Sequence, residues 1–165
     1  MKGRIRQKVL GIDPGWANFA YCQLGQNWRQ PFVWNVERIM NPPYSEEALW
    51  KAIFAWCQKN EIMLKSSTHI VIERQMEAPF IVIATTIRTL YPKTTVVVSP
   101  KTVGKLFNLP MKRAEKKKAA VEIVRRNVSF PEGSQKKKDD LADAYLLALW
   151  KWESLDSDTL KLWKK

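Results

Sequence analysis

The chain has 165 residues, 45% of them hydrophobic with eight Trp, enough to fill one core, and it is expected to fold as a single domain over 1–165 with a short tail at 154–165. Twenty-eight Lys and Arg against sixteen Asp and Glu give a net charge of +12, which implies an anionic partner, and nucleic acid is the usual one because basic side chains replace condensed counterions on phosphates. A membrane surface fits poorly, since the charges are spread through several segments with no long apolar run or lipid-facing basic helix, and Cys22 and Cys57 form no metal-ligand or CxxC pattern, which removes zinc and disulfide scaffolds.

The basic stretch Met1 to Lys8 runs into a strand-like segment rather than an apolar signal core, so an intracellular protein is expected. Val9-Leu10-Gly11-Ile12 is a short apolar run stopped by the turn tripeptide Asp13-Pro14-Gly15. Ala17 to Leu24 resumes an extended pattern, Gly25-Gln26-Asn27 turns the chain, and Pro31 to Ile39 alternates Phe32, Trp34 and Val36 with more polar neighbours. These three segments predict an antiparallel meander. Ser45-Glu46-Glu47 opens a helix with a capping hydroxyl and two carboxylates, and Leu49, Ile53, Trp56 and Cys57 share one face up to about Asn60.

Thr68 to Glu73 is apolar and β-branched without alternation, as expected of a parallel strand covered on both faces. A helix from about Pro79 to Leu90 leads to a second such strand, Thr94 to Val98. After Pro100 the chain turns helical and basic, with Val121, Val124 and Val128 on a stripe read as opposite Lys116, Lys117, Arg125 and Arg126. Phe130 to Lys138 reads as a basic loop, and a last amphipathic helix begins at Asp139 or Asp140 with Leu141, Ala144, Tyr145, Ala148 and Trp152. The order describes an α/β sheet layered with helices.

Four acids stand out. Asp13 ends a strand at the edge where open α/β sheets place ligands, although Asp-Pro-Gly is also a plain turn. Glu73 closes a doubly covered strand, where a carboxylate is costly to desolvate unless a cation or hydrogen bonds compensate it; a salt bridge to Arg74 is the ordinary alternative. Asp140 and Asp143 are three apart on a helix, with Cβ atoms roughly 5–6 Å from each other. A helix dipole accounts for Asp139 in the first turn but not for Asp143, which lies a turn inside between Ala142 and Ala144. Four hard oxygen donors without His or Cys suit Mg²⁺ or Mn²⁺, and two such ions about 4 Å apart serve phosphodiester hydrolysis.

Gly11-Ile12-Asp13-Pro14-Gly15, Ile70-Val71-Ile72-Glu73-Arg74-Gln75, Ser99-Pro100 with its basic helix, and Asp139-Asp140-Leu141-Ala142-Asp143-Ala144 together resemble the RuvC-type Holliday junction resolvases. The Lys-Lys-Asp-Asp-Leu-Ala-Asp-Ala wording is most similar to the branch found in poxviruses and other large DNA viruses. The resemblance implies a ribonuclease H-like mixed five-stranded sheet flanked by helices, a homodimer, and a Mg²⁺-dependent endonuclease that nicks four-way junctions symmetrically with two ions per site, Mn²⁺ substituting. For a viral protein the place of action would be viral DNA replication in the host cell.

Asp13, Glu73, Asp140 and Asp143 match the family's metal-binding acids. A lysine near the scissile phosphate is also implied, with Lys116 first by position and Lys112 and Lys105 behind it. The helix after Glu73 carries much of the family's dimer interface, so Ile81, Ile83, Ala84, Ile87 and Leu90 serve either that interface or the monomer core. A residue at its start wedges into the junction; Met76 sits where cellular relatives carry an aromatic, and Phe80 is the alternative. Lys105, Lys112, Arg113, Lys117, Lys136 and Lys137 belong to a basic cluster after position 100 that is expected to line a DNA channel. Trp28, Trp50, Trp150 and Trp163 are candidates for base stacking to which no role is assigned. The competing readings are a nuclease of the same fold acting on other branched DNA or structured RNA, and a DNA-binding protein with an inert site.

Overall fold

The computed structural model describes residues 7–155; the basic residues before Gln7, Trp163 and the tail beyond Leu155 lie outside the described residues. Strands β1 (Val9–Asp13), β2 (Phe19–Leu24) and β3 (Val33–Glu37) form the expected antiparallel meander. Strands β4 (His69–Glu73) and β5 (Thr95–Val98) add in parallel, so the sheet order is β3-β2-β1-β4-β5. The mixed five-stranded sheet flanked by helices is the fold that the sequence leads one to expect.

Alternation along the strands divides the core in two. Leu10, Ile12, Phe19, Tyr21, Ile70 and Ile72 face helices α1 (Glu46–Lys59), α2 (Glu61–Ser66) and α3 (Ala78–Leu90), where Leu49, Ile53, Trp56, Leu64, Ile83 and Ile87 are buried. Val9, Ala20, Cys22, Leu24 and Val71 face the other layer, α4 (Pro100–Leu106), α5 (Arg113–Asn127) and α6 (Lys138–Leu155). Ser45 caps α1 by accepting from the Ala48 amide at 3.2 Å, as its sequence position predicts.

Three expectations need correction. The short helix α2 is an addition to the expected elements, because six residues carry too little periodicity to register in sequence. Helix α6 begins at Lys138, after a 3₁₀ turn at Gln135–Lys137, and extends to Leu155, so Ser154 belongs to the helix rather than to a tail. On α5 the buried residues are Ala120 and Val124, and Lys116 and Lys117, one turn before Ala120, are half-buried on the same stripe rather than opposite it. That stripe runs past the apolar layer and ends over the carboxyl edge of the sheet, where aliphatic stems pack and ammonium groups reach water.

Candidate active site

The period of two that builds the core also aims the acids. Asp13 lies two residues after Gly11, and Glu73 two after Val71, so both project toward α6 from neighbouring parallel strands paired at Gly11↔Val71 and Ile12↔Ile72. Helix α6 is held close because Gly11 has no side chain: a methyl group there would meet the Ala144 carbonyl oxygen and stand 2.6 Å from the Ala148 nitrogen. Ala144 follows Asp143 directly, so this close approach sets the height of Asp140 and Asp143 over the strand ends.

A cleft of about 610 Å³ opens at this edge, lined by Asp13, Glu73, Asp140 and Asp143 together with Arg113, Lys116, Lys117, Arg74 and Gln75. Met76 and Phe80 are also on its wall, Met76 82% exposed and Phe80 half-buried. Of the other basic candidates, Lys105, Lys112 and Lys136 are exposed outside the cleft, Lys112 facing Glu115 at 3.8 Å. Lys137 donates to the Asn18 side chain, tying the β1–β2 turn to the start of α6.

Burial raises all four carboxyls above their ordinary range, and repulsion from neighbouring carboxylates adds to it at Asp13, Asp140 and Asp143. Asp13 is raised well above it by desolvation and then by Asp143, Glu73 and Asp140, against a lowering pull from Lys117. Asp143 is pushed up to about 7 by desolvation and by Glu73, opposed by Lys116 and Lys117. Glu73 is raised by desolvation despite Lys116 and Gln75, and Asp140 by desolvation and Asp139 despite Lys117 and Lys137. As placed, no three His, Cys, Asp or Glu side chains among the described residues gather closely enough to enclose one ion. The chemistry of the set nevertheless fits a hard divalent cation, which would offset the burial that raises all four groups and the repulsion that adds to it at Asp13, Asp140 and Asp143.

Two features lie beyond what the sequence alone shows. Gln75 donates 3.3 Å hydrogen bonds to both Asp13 Oδ1 and Glu73 Oε2, bridging the two strand-end acids. A signal for it is present, since Gln75 continues the period of two from Glu73. Asp139 accepts from Lys117 Nζ at 2.5 Å across the α5–α6 interface, and no local pattern announces that pair. The dipole accounts for an acid in the first turn but not for its partner.

A five-stranded mixed sheet of this order, covered by helices on both faces, is the ribonuclease H-like arrangement. The family model described as Poxvirus A22 protein matches residues 7–154, and the chain belongs to that family. No curated protein matches it in sequence.

Among solved structures, the yeast mitochondrial Holliday junction resolvase Ydc2 superposes with a TM-score of 0.65 at 19% identity, covering 98% of this chain and 88% of that one. The fowlpox virus resolvase in complex with Holliday junction DNA gives 0.64 at 14% identity, covering 91% and 99%. RuvC of T. thermophilus in complex with a Holliday junction substrate gives 0.63 at 14% identity, covering 93% and 97%. The resemblance carried by the four sequence blocks is thus borne out at the level of family and fold.

Proposed function

We propose that this protein is a Holliday junction resolvase, a metal-dependent endonuclease that nicks four-way DNA junctions. The observation that carries the reading is the convergence of Asp13, Glu73, Asp140 and Asp143, from two strands and one helix, in a single cleft walled by Lys116, Lys117 and Arg113. Membership of a poxviral family and the fold shared with junction-cutting enzymes support it. The family also supports a place of action at viral DNA replication inside the host cell. Among the described residues no helix is long and apolar enough to cross a membrane.

The four acids would hold two Mg²⁺ ions, with Mn²⁺ able to substitute, Asp13 being central because it feels the other three. Bound there, such ions would lower the pKa of the attacking water and offset charge on the phosphate. Gln75 fixes the relative orientation of Asp13 and Glu73 before any ion arrives. Lys116, which unlike its cleft neighbour Lys117 makes no ion pair among the described residues, is free to meet the scissile phosphate, while Arg113 and Arg74 hold flanking phosphates. Met76, exposed at the rim, can enter an opened junction without leaving a core.

Two such sites are needed to nick opposed strands, and a C2 homodimer is the simplest way to supply them. An apolar groove of about 750 Å³ between α1 and α3, lined by Trp50, Phe54, Ile81 and Leu90, suits that interface. Ile81 and Leu90 remain 47% and 40% exposed there, whereas Ile83 and Ile87 are fully buried in the core.

The experiment is cleavage of a labelled four-way junction beside duplex, single-stranded and RNA-containing controls, with Mg²⁺ or EDTA, for wild type and Asp143→Asn. Paired, metal-dependent nicks on the junction that vanish in the variant support the proposal. Equal cutting of every substrate overturns junction selectivity, and tight binding without cutting overturns the enzyme.

A further inference from the structure

Lys117 and Asp139 belong to neither the buried core nor the set of four acids, yet they meet at the mouth of the cleft. Lys117 is half-buried on α5, lines the same cleft as Asp13, Glu73, Asp140 and Asp143, and is bound at 2.5 Å by Asp139, the residue next to Asp140. The two side chains are 40% and 31% exposed, so the pair is partly shielded from water and salt. Lys116, its neighbour in sequence, has no such restraint among the described residues.

An ammonium group on a four-carbon stem beside four carboxylates, once released, would settle among them and compete for the oxygens a divalent ion must use. We propose that Asp139 is a positioning residue that holds Lys117 at the rim, keeping the acids open for divalent cations. This rests on reading the acids as a metal site, and it assigns to Asp139 a task distinct from theirs: Asp139 restrains the competitor and binds no ion.

The test is Mn²⁺ titration of the DNA-free protein by calorimetry, with nitrogen-resolved NMR of the lysine ammonium groups. Asp139→Asn is expected to weaken Mn²⁺ binding about tenfold, the lower end of what loss of a supporting partner does to a metal site, and to erase the slowly exchanging Lys117 signal. Asp139→Glu, which can still reach Lys117, is expected to retain both. The decisive variant is the double change Asp139→Asn with Lys117→Met, which removes the released competitor and is expected to recover Mn²⁺ affinity to within about threefold of wild type, a coupling that independent sites do not show. Unchanged affinity in Asp139→Asn, or a double variant as weak as the single, overturns the proposal. Wild-type protein that takes up no Mn²⁺ would overturn the metal site itself, an outcome separable from both.

Discussion

Gly11 of β1 lies against the backbone of Ala144 in α6, so near that a methyl group on Gly11 would stand 2.6 Å from the nitrogen of Ala148, one turn along. The obstacle is main chain and cannot rotate aside. Two residues beyond Gly11 is Asp13, and one before Ala144 is Asp143, so the approach that seats the helix also registers the acids. Gly11→Ala is expected to cost about 3 kcal/mol, the upper end of ordinary overpacking, and to slow junction cleavage on the order of 100-fold through misplacement of Asp140 and Asp143. Chemical denaturation and single-turnover cleavage check the two effects; an unaltered midpoint would show that α6 does not rest on Gly11.

The acids give the metal-free protein an unusual dependence on pH. Desolvation raises Glu73, and desolvation with neighbouring carboxylates raises Asp13 and Asp140 and pushes Asp143 up to about 7. Between an unfolded value near 3.8 and that folded value, the native state keeps protons that the unfolded chain releases. Stability from this source is complete below about pH 4 and is lost as pH rises through 7, by up to about 1.4 kcal/mol per pH unit for each such group. Thermal melts in EDTA are expected to fall from pH 5 to pH 7.5, with Asp143→Asn flattening the slope and Mg²⁺ raising the upper end most. A midpoint that climbs across this range would contradict the repulsion.

The strand and helix periods that place the acids also explain why they are legible in the sequence. Asp13 and Glu73 stand out because each terminates an apolar run, and a strand's period of two then fixes which layer they face. Asp140 and Asp143 stand out because a spacing of three makes neighbours on a helix. Hydrophobicity alone puts Lys116 and Lys117 on the wrong face of α5, since it marks where a stripe is buried but not where it passes beyond the apolar layer onto a polar site. The pairs Lys117–Asp139 and Lys137–Asn18 join residues 22 and 119 apart in sequence; such pairs are set by how helices and turns dock, for which local patterning holds no signal.

The dimer proposed for the α1–α3 groove separates two kinds of isoleucine on one helix. Ile81, half out in solvent, is expected to tolerate Ile81→Asp in the monomer while converting the dimer to monomer in sedimentation velocity and turning paired nicks into single ones. Ile83→Ala, in contrast, is expected to cost about 3 kcal/mol of stability, because its side chain fills the core, and to leave the dimer in place. Wild type that sediments as a monomer at micromolar concentration would remove the groove from this role.

Lys116 distinguishes catalysis from simple attraction of DNA. Its charge lowers both Glu73 and Asp143, and its position in the cleft brings it within reach of a phosphate held at the acids. Lys116→Gln is expected to reduce the single-turnover cleavage rate about 100-fold, the scale of losing one donor to developing charge. Junction affinity should weaken only severalfold, with the salt-dependence slope falling by about 1 because one phosphate is no longer neutralised. Removing its charge also leaves Glu73 and Asp143 with less to offset their repulsion, so the metal-free variant should melt below wild type at pH 7.5 and nearer to it at pH 5. A lysine that merely attracted DNA would weaken affinity and leave the rate at saturating enzyme unchanged; a rate that stays low at saturation marks a lysine that acts on the phosphate being cut.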